Sequence, residues 1–513
     1  MPDSGVVADC VHTACIIPSI MNSPPLTDTP VSVAALVQMG RRPGPFVLAL
    51  DGQAGPAALL ESHEVVRAIP GRRLVCRGAW QGKDVFIKLY LDGDRYWQEE
   101  CRGLQALAAK GIAAPAVLHA GTADRGALHI IVLQAIQPAR TLEAVLSQAH
   151  EETARIALLQ RAVICIAGHH CAGLEQRDIH LNNFLLAGEQ LYTLDGGGIH
   201  ASGDAELSVT QSRDNLALFF AELYPDDDAL VDRVLPAYLQ RRSWDRDDFP
   251  LATLRRRIKH FRDRRLRRFL KKVFRDCSAF ICERSWRTFK VYDRAIASTG
   301  MVEFLADPDA SLQHADAQYL KQGNTCTLWV TRVDGRQLVV KRYNIKSLRH
   351  RLGRAVRKTR AAVSWRNAHR LWMYGILTAR PVALLEERWG PLRGRAWYIS
   401  EFVAGDDAGT LCTATLRDQA GIEAAGQQVT GLLAQLALSS LSHGDMKATN
   451  FILSEQGAVV IDLDAMRRHV APESFRRAQR RDLARFMRNW EDCPETKTMF
   501  TEMMRAKNLV TDS

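Results

Sequence analysis

The sequence predicts an α+β chain built as two tandem bilobal units, each a small sheet followed by a mainly helical part. Three observations carry that expectation. The chain is 513 residues long, more than one ordinary hydrophobic core fills, so two or three domains are expected. Two short acidic motifs occur twice with one internal spacing. Asn183 follows Asp178 as Asn450 follows Asp445, five residues on, and Asp195 and Asp462 each stand seventeen residues after the first aspartate. Finally, strand-like runs precede helix-like runs in both halves, in the same order.

The elements follow in chain order. Residues 1–45 carry Pro24, Pro25, Pro30, Pro43 and Pro45 with little periodicity and read as disordered, or as a start before a later initiator at Met21 or Met39. Leu74-Val75-Cys76 and Val85 to Tyr90 flank a turn at Gln81-Gly82-Lys83-Asp84, which is hairpin chemistry. A helix follows from Arg95 to Lys110 and stops at Gly111, since glycine accepts the left-handed conformation that ends helices. Leu128 to Ile136 is a further apolar strand, and Thr153 to Cys171 has helical spacing leading into the first motif. The second half repeats this. Strands at Thr327–Val330 and Leu338–Tyr343 flank a turn at Asp334-Gly335, and a helix ends at Tyr374-Gly375. A strand then spans Trp397 to Val403, and a helix from about Gln427 to Leu441 enters the second motif. The division expected is 46–295 and 296–513, with a basic helix at about 251–275.

Lysine, aspartate, asparagine and aspartate in this order are the parts a protein-kinase-like fold uses to hold ATP, magnesium and an acceptor hydroxyl. Lys88 and Lys341, each on an alternating strand, would reach the ATP phosphates. Asp178 and Asp445 would face the acceptor hydroxyl as the catalytic carboxylates. Asn183 with Asp195, and Asn450 with Asp462, would hold Mg²⁺ through oxygen, the donor a hard cation prefers. Glu99 or Glu100 on the following helix would pair with Lys88, and Glu100 is the nucleotide-site candidate. In the second half Ser364 stands where Glu100 stands in the first, so another acid serves Lys341 or that site is arranged differently.

Other residues carry weaker signals. Gly78, Gly82 and Gly323 are the nearest equivalents of a phosphate-binding glycine loop, and plain turn roles account for them as well. Asp214 and Asp482 read either as anchors of the catalytic loop or as helix N-terminal acids facing the dipole. His169 and His170 are adjacent on a helix, about 100° apart, and read as packing residues and not as a metal pair. Eleven cysteines without a C-x-x-C pair read as thiols of a reducing compartment. No stretch is apolar for the roughly 18–20 residues a membrane-spanning helix needs, and the start of the chain lacks signal-peptide character.

At these residues the chain resembles the lipopolysaccharide core kinase family, whose members phosphorylate heptose or Kdo sugars. The second half carries the stronger likeness, through Leu320 to Thr325, Asp334-Gly335-Arg336, Val339 to Asn344, Ser364 to Ala368, His443-Gly444-Asp445, Asp482 to Arg485 and Arg488-Asn489-Trp490. The first half shares Gln176 to Leu186, Leu194 to Gly198 and Lys271 to Cys277. The resemblance implies ATP-dependent, Mg²⁺-assisted phosphorylation of a lipopolysaccharide core or lipid A–core acceptor. It also implies a cytoplasmic protein, peripheral on the inner face of a Gram-negative inner membrane. Composition agrees with an anionic partner. Between Arg241 and Lys290 eighteen Lys and Arg face six Asp and Glu, a local excess of twelve against +11 for the whole chain. Apolar residues from Leu254 to Phe274 recur at helical spacing among these charges. They can lie on an anionic membrane or pack in the first unit's helical lobe. No base-reading module accompanies the charge, which argues against nucleic acid. Two other readings use the same residues: a kinase of proteins or small molecules, and a membrane-associated scaffold with one or both units inactive.

Overall fold

The computed structural model describes residues 29–40, 43–203, 205–344, 357–412 and 419–510. They form two compact units. One comprises the described residues up to Leu223 together with Asp227–Asp263; the other comprises Tyr224–Asp226 and the described residues from Arg264. Both mix sheet and helix, as the sequence predicts.

The first unit begins with a six-stranded antiparallel sheet in the order Phe46–Ala49, Leu59–Ile69, Arg73–Trp80, Lys83–Tyr90, Leu128–Gln134, Val117–Ala123. Alternation along Lys83–Tyr90 sorts its side chains. Val85, Ile87 and Leu89 are fully buried in one face of the sheet, while Tyr90 and Phe86 pack on the other face with Leu104 and Cys101 of the helix Arg95–Ala109. Lys88 therefore points toward that helix. The helical part of the unit gathers Glu152–Cys171, Val209–Phe220 and Leu230–Arg242 around one apolar cluster.

In the second unit a seven-stranded sheet has the order Phe280–Arg284, Thr288–Asp293, Pro381–Trp389, Leu392–Glu401, Arg336–Tyr343, Cys326–Val333, Gln318–Gln322. Its last five strands reproduce, in the same spatial order, the five strands of the first sheet from Leu59–Ile69 to Val117–Ala123. Each sheet differs only by what is added at an edge: Phe46–Ala49 in one, the hairpin 280–293 in the other.

Two expectations need correction. The boundary expected at 295/296 lies too late, because the hairpin 280–293 pairs with Pro381–Trp389 and belongs to the second sheet. The reason is visible in the strand itself: Phe289 and Val291 are buried in the second unit's core. Of the segment 1–45 read as disordered, residues 1–28 and 41–42 lie outside the described residues. Within the remainder, Val33–Gln38 is a helix capped by Ser32, its Leu36 is buried in the first unit's sheet core, and Val31 N–H donates to the Val47 carbonyl. Among the described cysteines, seven including Cys76 and Cys326 are free thiols, whereas Cys493 is disulfide-bonded.

The basic helix runs over Leu251–Lys272. Leu254, Ile258 and Phe261 are buried in the first unit's core, and Leu266, Leu270 and Val273 in the second's. The Trp365 indole donates to the Val273 carbonyl at 2.7 Å. Its apolar stripe is thus committed to protein interior, which leaves charge as the means by which this helix can meet a membrane. Part of that charge is neutralised internally, Arg257 on Asp214 and Arg262 on Asp228 by paired bonds of 2.5–2.9 Å. No helix among the described residues is long and apolar enough to cross a membrane.

Candidate active sites

In the first unit, the Lys88 ammonium donates to Glu100 and, at 3.2 Å, to Asp195 Oδ1. The acid that meets Lys88 is therefore Glu100; Glu99, one residue round the helix, pairs with Arg95. Glu100 also accepts the Gly196 and Gly197 N–H groups at 2.9 and 3.0 Å. This clasp depends on glycine at two positions. A Cβ on Gly103 would lie 1.8 Å from the Gly196 carbonyl oxygen, and one on Gly196 would lie 2.6 Å from that of Glu100. Helix and turn approach closely because neither has a side chain there.

The loop geometry around the two acidic motifs is shared by both units almost bond for bond. Asn183 Nδ2 donates to the Asp178 carbonyl at 2.7 Å, and Asn450 Nδ2 to that of Asp445 at 2.8 Å. Leu194 N–H reaches the Asn183 carbonyl at 2.7 Å, and Ile461 N–H that of Asn450 at 2.9 Å. Two residues before each first aspartate, Gln176 Nε2 and His443 Nε2 bond the Leu194 and Ile461 carbonyls, at 3.2 and 2.9 Å. Asp195 and Asp462 both sit in the left-handed region, at φ 67° and 59°. That conformation is uncommon outside glycine, so its recurrence at both aspartates marks a local backbone held by its surroundings.

Electrostatics separate the two carboxylates of the first unit. Lys88 pulls the Asp195 carboxyl well below the usual carboxylate range. Burial, with help from the nearby Asp195 charge, pushes Asp178 up to about 6, while Arg67 and Arg73 oppose the rise. Two neighbouring carboxylates with such different affinities for a proton are the arrangement expected of a metal ligand beside a group that handles a hydroxyl proton.

The second unit departs at the lysine. Lys341 Nζ meets Asp462 Oδ1 at 2.5 Å and Asp464 Oδ2 at 3.2 Å. Arg360 also reaches Asp464, at 2.8 Å, and Tyr343 OH donates to it at 3.0 Å. Burial works against the Asp464 carboxylate, and Lys341 and Arg360 more than offset it, so Asp464 titrates below its ordinary value. Asp445 lies against Arg485 and, at 3.5 Å, Lys447.

The later helix also differs between units. Asp482 accepts the His443 and Gly444 N–H groups at 2.6 and 3.0 Å and so anchors the loop of the second acidic motif. Asp214 does not do this; it pairs with Arg257, and its neighbour Asn215 bonds the loop instead, donating to the Gln176 carbonyl at 2.8 Å. The buried histidines serve packing networks: His169 bonds Thr193, and His170 bonds Tyr238 and Asn215. Gly78 lies inside a strand, where a Cβ would meet the Glu61 carbonyl at 1.8 Å, and Gly82 is a hairpin turn at φ 72°. The turn equivalent to the one carrying Gly323 is Pro70-Gly71-Arg72, joining the two strands outside the lysine strand.

Sequence reasoning missed Arg67, Arg73, Arg360 and Asp464. Only Asp464 had a readable signal, a second acid two residues after Asp462. The arginines reach their sites through sheet register and helix placement, which spacing does not encode.

Residues 313–506 match the family model described as lipopolysaccharide kinase (Kdo/WaaP) family. A comparison with curated proteins finds no match. Among solved structures, the chain is similar to one titled "WaaP in complex with acyl carrier protein", at 21% identity. That match covers 38% of this chain and 88% of the other, with a TM-score of 0.30. It is also similar to a mutant form of the PknI kinase domain of Mycobacterium tuberculosis, at 16% identity, covering 33% and 76%, with a TM-score of 0.25. The resemblance drawn from the sequence thus holds over residues 313–506: there the chain matches the lipopolysaccharide kinase (Kdo/WaaP) family, and a phosphotransferase is the enzyme class that match supports.

Proposed function

We propose that the chain transfers the γ-phosphoryl group of ATP to a sugar hydroxyl of the lipopolysaccharide inner core, heptose or Kdo, with heptose the leading acceptor. One observation carries this reading. The family match at 313–506 contains Lys341, Asp445, Asn450 and Asp462, and the bonds described above gather those residues into one site. The first unit, with Lys88, Asp178, Asn183 and Asp195 in corresponding places, is read as a second copy of the same device.

The residues fit a hard divalent cation. Each asparagine spends its amide nitrogen on a backbone carbonyl, so its amide oxygen is the donor left for a metal. Each second aspartate adds a carboxylate oxygen. Mg²⁺ bound there would neutralise charge on the phosphates. The chain's own groups do the rest. Lys88 and Lys341 place the phosphates, and Asp178 and Asp445 orient the acceptor hydroxyl and take its proton as the bond to phosphorus forms. The acceptor is a lipopolysaccharide core or lipid A–core molecule, met at an anionic inner-membrane surface on the cytoplasmic side.

The test is ATP consumption and phosphate transfer with purified core lipopolysaccharide, comparing Asp178→Ala, Asp445→Ala and the double variant. Loss of transfer in the double variant is expected, by about 10²-fold or more. Transfer that survives it overturns the assigned roles. Loss in one single variant alone would make the other unit regulatory or direct it to a different acceptor, and phosphate on proteins but not on sugar would favour a protein kinase.

A further inference from the structure

Both units hold their strand lysine with two carboxylates, but they take the second carboxylate from different places. In the first unit it is Glu100, from the helix Arg95–Ala109, closing over a turn whose third residue is Gly197. In the second, the helix position carries Ser364 and the turn position carries Asp464. Glu100 and Gly197 are thus exchanged for Ser364 and Asp464.

Geometry shows the exchange to be complementary. Ser364 Oγ lies 3.1 Å from Tyr343 OH, and that hydroxyl donates to Asp464 Oδ2 at 3.0 Å. The short helix residue leaves room that the tyrosine hydroxyl and the turn carboxylate fill. Asp464 then takes three donors, Lys341, Arg360 and Tyr343, with a side chain only 6% exposed. Tyr343 is sandwiched electrostatically, its ring 5.2 Å from the Lys341 ammonium and 5.0 Å from the Arg360 guanidinium. All three donors converge on one oxygen, Oδ2, which is thereby spent on two cations and a hydroxyl and is lost to a metal. The helix still docks on the turn, but through Asn367, whose amide donates to the Leu463 and Met466 carbonyls at 2.9 and 3.0 Å.

We infer that Asp464 is the positioning residue of the second nucleotide site, holding Lys341 toward the phosphates in place of a helix glutamate, and is not a ligand of the magnesium ion. This rests on reading the second unit as ATP-binding. The inference carries a specific consequence: moving the carboxylate back to the helix should restore function.

The experiment uses the full chain carrying Asp178→Ala and Lys88→Ala, so that the first site is silent. Nucleotide binding is followed with a fluorescent ATP analogue, and Mg²⁺ half-saturation is measured separately. Asp464→Asn should weaken analogue binding by about tenfold or more with Mg²⁺ half-saturation unchanged. Asp464→Gly should behave alike, and adding Ser364→Glu should recover most of the loss, as the first unit is wired. Circular dichroism checks that each variant is folded, and Asp464→Asn, which keeps shape, guards against a collapse of the Gly variant. If Asp464→Asn shifts Mg²⁺ half-saturation and leaves analogue affinity at saturating Mg²⁺ unchanged, Asp464 is a metal ligand and the inference falls. It falls also if Ser364→Glu in a folded protein recovers nothing. Absence of analogue binding by the parent chain would instead remove the ATP-binding reading itself.

Discussion

Asp178 carries the clearest single-residue prediction. Its carboxyl titrates at about 6 because burial, and then the Asp195 charge, disfavour its ionised form. A raised carboxylate pKa means the proton stays on to higher pH, so if Asp178 accepts the hydroxyl proton, as proposed, it is blocked below that value. With the second site silenced by Asp445→Ala, transfer by the first unit should climb through pH 6 and level off above about 7. Arg73→Leu removes a cation that lowers this pKa, so the rising limb should move to higher pH; a limb that stays in place would dissociate Asp178 from proton transfer. At this scale the sequence was most informative. Asp178, Asn183 and Asp195 stood out because one loop and one hairpin fix their separations, and Lys88 only as a lysine on an alternating strand after a hairpin. Arg73 did not, since it enters by strand register, and of the two roles open for Asp214 neither holds: Asn215 bonds the loop and Asp214 pairs with Arg257, because a helix turn offers the two to different neighbours.

Between elements, the approach of helix Arg95–Ala109 to the turn at Gly196 is the feature most exposed to test. Gly103→Ala would put a methyl 1.8 Å from a backbone oxygen, where no flexible side chain can yield. Overpacking of this kind costs about 1–3 kcal/mol, and the helix should be pushed off the turn, taking Glu100 from Lys88. Thermal unfolding should show the destabilisation, and nucleotide binding by the first unit should weaken more than that of the second. Elements were predictable where periodicity was strong, as in Glu152–Cys171. The hairpin 280–293 was assigned to the wrong unit because pairing with Pro381–Trp389, about a hundred residues on, leaves no local trace. The helix Val33–Gln38 was overlooked because it is short and its stability comes from burying Leu36.

For the whole molecule, the buried stripe of helix Leu251–Lys272 changes how membrane binding is expected to behave. Arg267, Arg268 and Lys271 are exposed while Leu266 and Leu270 are interior. Binding to anionic vesicles should therefore be electrostatic and fall steeply from low salt to about 0.5 M, as the screening length shrinks. Charge reversal at Arg267 and Arg268 should weaken it without lowering thermal stability, whereas Leu270→Ala should do the opposite. Binding indifferent to salt would exclude this surface. The different sources of the lysine's second carboxylate have a consequence for control of the chain. Sliding helix Arg95–Ala109 by one turn would carry Glu100 about 5 Å from Lys88 and dismantle the first site. The same slide of Arg360–Met373 would leave Asp462 and Asp464 on Lys341, because both ride on the turn. If both units turn over, a signal that shifts a helix would therefore dismantle the first site, whereas the second, drawing both acids from one turn, would lose only the contacts of Arg360 and Asn367.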